Sequence, residues 1–85
     1  MKIKINESCS YEALNNSIVI LQADTGKYLE IDLYGKRIFE LILNNDYSKN
    51  ELIEKLKSIY KSSFNQNELL DFLNKLYGYQ IISYE

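Results

Sequence analysis

The chain has 85 residues, and we expect residues 1–85 to form a single domain. Its formal net charge of −2 argues against nucleic acid as a partner, because that binding depends on a basic face that neutralises phosphates. Histidine is absent and Cys9 is the one cysteine, so the residues for a zinc site, a Cys–His nucleophile or a histidine general base are missing. We therefore predict a protein that is not an enzyme and that holds no metal or cofactor.

Three further features predict a soluble protein of the cytoplasm. A lone cysteine cannot form an internal disulfide, which fits a reducing compartment. The N-terminus alternates charged residues with Ile and lacks the apolar segment of a signal peptide. The longest apolar run, Ile18–Leu21, is far too short to span a membrane.

The first part of the chain predicts strands. Lys2–Ile5 alternates polar and apolar residues, as a short edge strand does, whereas Asn6–Asn16 is polar with isolated apolar residues and predicts a loop. Ser17–Gln22 is β-branched and apolar on both faces, which favours a central strand. A turn at Ala23–Gly26 leads into the returning strand Lys27–Ile31.

This returning strand is the last one before the helices, so we expect one of its edges to be open. Leu29 and Ile31 share one face of the strand, and Tyr28 and Glu30 share the other. The apolar face is predicted to cover the core.

Three helical segments follow, the first of them capped by Asp32. The second helix, Lys49–Tyr60, and the third, Gln66–Tyr77, each follow a polar cap residue and carry a glutamate three positions after it, the spacing of a capping box. Gly35, near the start of the first helix, is predicted to allow close packing, and Gly78 to end the third helix. Four apolar residues of the second helix are predicted to be buried: Leu52, Ile53, Leu56 and Ile59.

A short terminal strand is predicted at Gln80–Tyr84. Strands followed by three helices indicate an α+β fold that is winged helix-turn-helix-like.

The third helix is more apolar than one core contact requires. Its apolar stripe, at about 100° per residue, is assigned to the core and consists of Leu69, Phe72, Leu73 and Leu76. Leu70 and Tyr77 fall about 90° away on a flank. Beside an open strand edge, this flank would form a groove in which a peptide adds as a strand and places side chains on the helix. Packing of Leu70 and Tyr77 under the terminal segment Tyr79–Tyr84 is the alternative.

Five tyrosines lie outside the core periodicity. The sequence does not decide whether they form a binding surface or pack half-buried in a small domain. They are Tyr28, Tyr34, Tyr77, Tyr79 and Tyr84.

Two other functions compete with peptide binding. One is a winged-helix regulator that binds DNA through the third helix, but that helix carries Glu68 and Asp71 against the single Lys75 and would repel phosphates. The other is a structural adaptor that joins two enzymes without touching a peptide.

The order of the segments resembles the PqqD-like family, the precursor-peptide recognition elements of ribosomally made, modified peptides. The similarity is clearest from Ser17 to Ile82 and is carried by Asp-Thr-Gly, Tyr-Leu-Glu-Ile-Asp-Leu-Tyr-Gly and Leu-Leu-Asp-Phe-Leu-Asn-Lys-Leu-Tyr-Gly. The resemblance implies a three-stranded antiparallel sheet packed on three helices, and no enzymatic activity.

The resemblance also implies that the leader segment of a precursor peptide adds as a strand beside Lys27–Ile31 and lies against Gln66–Tyr77. A separate maturation enzyme would receive the precursor: a leader peptidase of a lasso-peptide pathway is favoured, with a radical-SAM enzyme as the alternative. The protein would be a monomer, or a weak homodimer through the strand edge. Acidic leader residues would meet Lys27 and Lys75. The predicted peptide-binding residues are Lys27, Tyr28, Leu29, Glu30, Ile31, Leu70, Leu73, Asn74 and Tyr77.

Overall fold

The computed structural model describes all 85 residues. The strands are β1 (Ile3–Ile5), β2 (Cys9–Ala13), β3 (Ser17–Gln22), β4 (Lys27–Asp32) and β5 (Ile82–Tyr84). The helices are α1 (Leu33–Asn44), α2 (Lys49–Tyr60) and α3 (Gln66–Gly78), with a 3-10 turn at Lys61–Ser63 between the last two. The three-stranded antiparallel sheet and three helices confirm the predicted α+β fold. No helix combines the length and the apolar character that a membrane crossing needs.

The three-stranded sheet has β3 at its centre, with β2 and β4 antiparallel on its two sides. Ile18 and Ile20 of β3 are buried in the core, which confirms the predicted central strand. The predicted loop at Asn6–Asn16 is wrong, because Cys9–Ala13 forms β2. Most side chains of β2 are exposed, so its hydrophobic pattern is weak, and pairing with β3 supplies the order that its own sequence does not signal.

The two ends of the chain form a separate two-stranded antiparallel sheet. β1 pairs with β5, so that Ile3 lies opposite Tyr84 and Ile5 lies opposite Ile82. Both terminal strands were predicted, but the first does not join the larger sheet.

Polar side chains begin all three helices at the predicted positions. Asp32 accepts a hydrogen bond from an amide of the first turn of α1. Ser48 and Glu51 form a complete capping box at α2. Asn65 accepts from the backbone N–H of Glu68 at α3, but the reciprocal bond of a capping box is not made.

Two predictions about the helices are wrong. Gly78 does not terminate α3 by a left-handed backbone, because it is itself the last helical residue and Gln80 supplies the positive φ (59°) beyond the cap. Ile59 is not buried but 47% exposed, because it lies on a flank of α2 that lines a surface cleft beside α1.

One cluster of 15 buried apolar residues connects all three helices with β1, β3, β4 and β5. From α3 it includes Leu69, Leu73 and Leu76, each 0% exposed. These three residues fix the rotation of α3 about its axis and therefore decide what each of its flanks can meet.

Candidate functional site

The hydrogen bonds at the two ends of the β2–β3 hairpin show which backbone groups of β3 face each neighbour. The N–H of Leu14 donates to the carbonyl of Ser17 (2.9 Å), and the N–H of Ala23 donates to the carbonyl of Ser8 (3.1 Å). Hydrogen-bonded pairs recur at every second residue of an antiparallel ladder. The odd-numbered residues of β3 therefore bond to β2, and the even-numbered residues bond to β4.

This alternation leaves β4 with a free row of backbone groups. Leu29 and Ile31 lie opposite even-numbered residues of β3, so their N–H and C=O groups are used within the sheet. The N–H and C=O groups of Tyr28 and Glu30 point the other way, where β4 has no neighbouring strand. The expected open edge is present, and these two residues, rather than Leu29, carry its backbone donors and acceptors.

A cleft of about 190 Å³ lies beside β4, on the side that faces α3. We call it the β4–α3 cleft. Its apolar lining comes from Leu29 and Ile31 of β4 and from the partly buried Phe72 of α3. The full set of lining residues is Leu29, Ile31, Asp32, Tyr34, Gly35, Glu68, Phe72 and Lys75.

Gly35 allows the elements around this cleft to approach each other. A Cβ atom at this position would lie 2.0 Å from Cγ2 of Ile31 and 3.1 Å from Cε1 of Phe72. The first distance is far inside van der Waals contact, and Ile31 is buried and β-branched, so it cannot move away at low cost. The predicted role of Gly35 in close packing is confirmed.

The two flanks of α3 have different neighbours. At about 100° per residue, Glu68, Phe72 and Lys75 fall roughly 60–120° to one side of Leu69, and we call them the cleft flank. Roughly 80–140° to the other side lies the terminal flank, and it consists of Leu70, Asn74 and Tyr77.

On the helix side, the β4–α3 cleft is lined by residues other than those predicted for the groove. The residues of the terminal flank are absent from the lining of the β4–α3 cleft. Tyr77 instead packs against Tyr84, with ring centroids 5.7 Å apart, as the alternative prediction had it. Leu73 is fully buried in the core, so its side chain cannot contact a ligand, and a charge there would destabilise the fold. Helical spacing measures only the angle from the core stripe, so it does not show which flank lies beside the strand edge.

Of the residues predicted on the strand side of the groove, Leu29 and Ile31 line the cleft and Tyr28 does not. Leu29 is partly buried, and with Ile31 it forms part of the cleft wall. Tyr28 is 72% exposed, and its side chain lies on the outer face of the sheet, opposite Leu21. Lys27 begins β4, and its ammonium lies over the ring of Tyr79, 5.6 Å from the centroid.

Tyr34 contributes a polar but uncharged group to the lining of the cleft. Burial raises the pKa of the Tyr34 hydroxyl, and repulsion by the Glu68 carboxylate and by the Tyr60 hydroxyl raises that pKa further. Tyr34 therefore stays neutral at physiological pH. Its ring packs edge-on against Tyr60, with centroids 5.2 Å apart, which holds it at one end of the cleft.

A larger cleft of about 660 Å³ lies on the terminal flank of α3. Tyr77 and Tyr84 form its aromatic wall, and the ammonium of Lys49 lies 5.0 Å from the centroid of the Tyr84 ring. The neighbouring strand β5 is three residues long, against six for β4, and so offers fewer backbone groups to a ligand. Size alone does not make it the better site for an extended chain.

The side chains that could bind a metal ion or act as a nucleophile are dispersed over the structure. No group of three or more His, Cys, Asp or Glu residues is close enough to hold a metal ion. Burial raises the pKa of the Cys9 thiol, and Asp24 raises it further. The thiol is therefore protonated at physiological pH and is a poor nucleophile.

Comparison with known proteins gives one family and one structural relative. The family model of PqqD, described as coenzyme PQQ synthesis protein D, matches residues 17–82. A solved structure described as "TbiB1 in Complex with the TbiA(beta) Leader Peptide" superimposes with a TM-score of 0.80, covers 96% of each chain and is 22% identical in sequence. No curated protein matches the sequence significantly.

Proposed function

The chain belongs to the PqqD family, and from this premise we propose that it binds the leader segment of a ribosomally made precursor peptide without catalysing a reaction. The observation that carries the proposal is the open edge of β4 beside the apolar β4–α3 cleft. The structural similarity to TbiB1, which was solved with a leader peptide, supports it.

In this proposal the leader adds to the sheet as a fourth strand. Its backbone pairs with the N–H and C=O groups of Tyr28 and Glu30, which no other strand uses. Successive side chains of a strand point to opposite faces, so every second leader residue lies on the cleft side. Those residues contact Leu29, Ile31 and Phe72.

The bound leader brings the precursor to a separate maturation enzyme. Tethering raises the local concentration of the precursor at that enzyme, so this protein needs no catalytic group of its own. We favour a leader peptidase of a lasso-peptide pathway as the partner, with a radical-SAM enzyme as the second choice, and we place the protein in the cytoplasm. Without a leader, the open edge allows a weak homodimer.

The proposal is tested with peptides selected from a displayed library of random twelve-residue sequences. A selected peptide is labelled, and its affinity is measured by fluorescence anisotropy for wild type, Glu30→Pro and Glu30→Ala. Proline removes the one N–H of Glu30, which faces the open edge, and edge strands tolerate that change. We expect Glu30→Pro to weaken binding about tenfold or more and Glu30→Ala to change it less than about twofold.

Hydrogen exchange supplies an independent measurement on the same complex. The peptide should protect the amides of Tyr28 and Glu30, whereas those of Leu29 and Ile31 should already be protected in the free protein. Selection of no peptide, or equal binding by folded Glu30→Pro and wild type, would show the proposed function to be wrong.

A further inference from the structure

Four charged side chains, three that line the β4–α3 cleft and one at the start of β4, have no ionic partner in the protein. They are Lys27, Asp32, Glu68 and Lys75. The three ion pairs of the molecule lie elsewhere, between Lys2 and Glu51, Lys4 and Asp46, and Lys57 and Glu54.

The unpaired charges are sorted by sign along the cleft. Lys27 lies over the ring of Tyr79, just beyond the end of α3, and the carbonyl of Lys75 accepts the N–H of Tyr79 one turn earlier. These two lysines form the cationic end. At the other end, Asp32 closes β4 and Glu68 lies in the first turn of α3, so β4 and α3 run in opposite directions. The cleft therefore has a cationic end and an acidic end.

The apolar residues of the cleft lie between the two ends. On α3, Phe72 stands between Glu68 and Lys75, which are separated by about 10.5 Å along the helix axis at 1.5 Å per residue. Four residues of an extended strand span about 13 Å, and residues i, i+2 and i+4 point to the same face. Three consecutive inward residues of an added strand therefore match the acidic, apolar and basic parts of the cleft.

We propose that the cleft selects an extended peptide in which a basic residue, an apolar residue and an acidic residue alternate with outward-facing residues. The inference rests on the proposed strand addition at β4. The basic side chain lies beside Glu68 and Asp32, the apolar one on Phe72, and the acidic one beside Lys75 and Lys27. Both existing strand pairs of this sheet are antiparallel, the more stable arrangement, so the order from N- to C-terminus is basic, apolar, acidic.

The charges give direction and register to an interaction that backbone pairing leaves undetermined. A strand edge accepts a peptide in either direction, and a shift of one residue exchanges its two faces. In the reversed peptide, like charges meet at both ends of the cleft, and in the shifted peptide the charged side chains point away from it. Partly exposed pairs of this kind change affinity by roughly two- to fivefold each, so they act on specificity more than on total affinity.

The test uses the library-selected peptide in three synthetic versions. Its residues i and i+4 on the cleft side are made Lys and Glu, Glu and Lys, or Gln and Gln, and the apolar residue between them is kept. The protein variant exchanges the two helix charges in one chain, Glu68→Lys with Lys75→Glu, and therefore leaves the net charge of −2 unchanged. Affinities are measured by anisotropy at low salt and at 0.5 M NaCl.

We expect the wild type to bind the Lys-first peptide about tenfold more tightly than the Glu-first peptide at low salt, with the Gln peptide between them. The exchanged variant keeps Asp32 and Lys27, so each end of its cleft carries both signs and most of the preference should be lost. In the wild type, 0.5 M NaCl should likewise remove most of the difference.

Two other results separate the inference from the proposed function. If the three peptides bind equally to both proteins and Glu30→Pro still abolishes binding, the charge selection is wrong and strand addition at β4 stands. If no selected peptide is sensitive to Glu30→Pro, both are wrong.

Discussion

The two flanks of α3 lie at similar angles from the core stripe but have different surroundings. Both adjoin the same core stripe, and each carries a large apolar residue, Phe72 on the cleft flank and Tyr77 on the terminal flank. Phe72 lines the β4–α3 cleft, whereas Tyr77 packs against Tyr84 of the terminal sheet. The apolar residue on the terminal flank already has an intramolecular partner.

The charged residues on the two sides of α3 also differ in whether they have ionic partners within the chain. On the cleft flank, Glu68 and Lys75 form no ion pair within the chain. Next to the terminal sheet, by contrast, Lys2 is paired with Glu51 and Lys4 with Asp46. Interactions that are complete within one molecule stabilise the fold, whereas groups left without partners next to an open strand edge remain available to a ligand.

The largest expected effect comes from closing the space beside the cleft flank. Gly35→Ala places a methyl group against Ile31 and Phe72, and overpacking of this kind costs typically 1–3 kcal/mol. Some of that cost is offset, since alanine favours the helix by roughly 0.5–1 kcal/mol. We expect a net loss of about 1–2 kcal/mol in the free energy of unfolding, measured by urea denaturation.

Gly78→Ala is the matched control, because a Cβ there meets nothing within 4 Å and the backbone φ is not positive. This variant should be unchanged or more stable by up to about 0.5–1 kcal/mol. Equal stability of the two variants would contradict the close packing described around Gly35.

The second-largest effect is expected on peptide affinity, which is compared between one variant on each flank of α3. Phe72→Ala removes the apolar surface that α3 supplies to the cleft, and we expect about tenfold weaker binding of the selected peptide. Tyr77→Ala removes a ring that is 56% exposed on the terminal flank, and the affinity should change less than about twofold. Both affinities are measured by anisotropy, after circular dichroism has shown each variant to be folded. If Tyr77→Ala weakened binding more than Phe72→Ala did, the binding site would lie on the terminal flank instead.

The smallest effect concerns the acid stability of the region beside the terminal flank. The Lys2 ammonium, 2.6 Å from Oε1 of Glu51, and hydrogen bonds from Ser48 lower the pKa of Glu51 from 4.5 to about 2. Because the folded pKa is the lower one, this stabilisation is complete above pH 4.5 and is lost as the pH falls towards about 2.

Glu51→Gln removes the titrating group but can keep the helix cap. The difference in Tm between wild type and this variant should be constant above about pH 5 and should shrink towards pH 2. A difference that does not vary with pH would mean that the ion pair with Lys2 contributes nothing measurable.

Local signals in the sequence were sufficient for most of the fold. β3 was found from its β-branched apolar residues, the helix starts from Asp32, Ser48 and Asn65, and the packing role of Gly35 from its place at the start of α1. These features depend on residues that are adjacent in the chain or within one helical turn.

Other parts were out of reach because long-range contacts decide them. β2 is ordered by its pairing with β3 although its own side chains are mostly exposed, and α3 ends where Gln80, rather than Gly78, turns the chain. Phe72 was assigned to the core stripe, and it both packs against the core and lines the cleft.

The sequence by itself determined that β4 ends the run of strands with an open edge and that α3 has an apolar face wider than its core stripe. Only the tertiary structure decided which flank of that face lies beside the edge. A helical repeat gives the angle of each residue from the core stripe, and Phe72 and Tyr77 stand at similar angles on opposite sides. The direction in which α3 crosses the sheet, antiparallel to β4, brings Phe72 to the edge and leaves Tyr77 to the terminal strands.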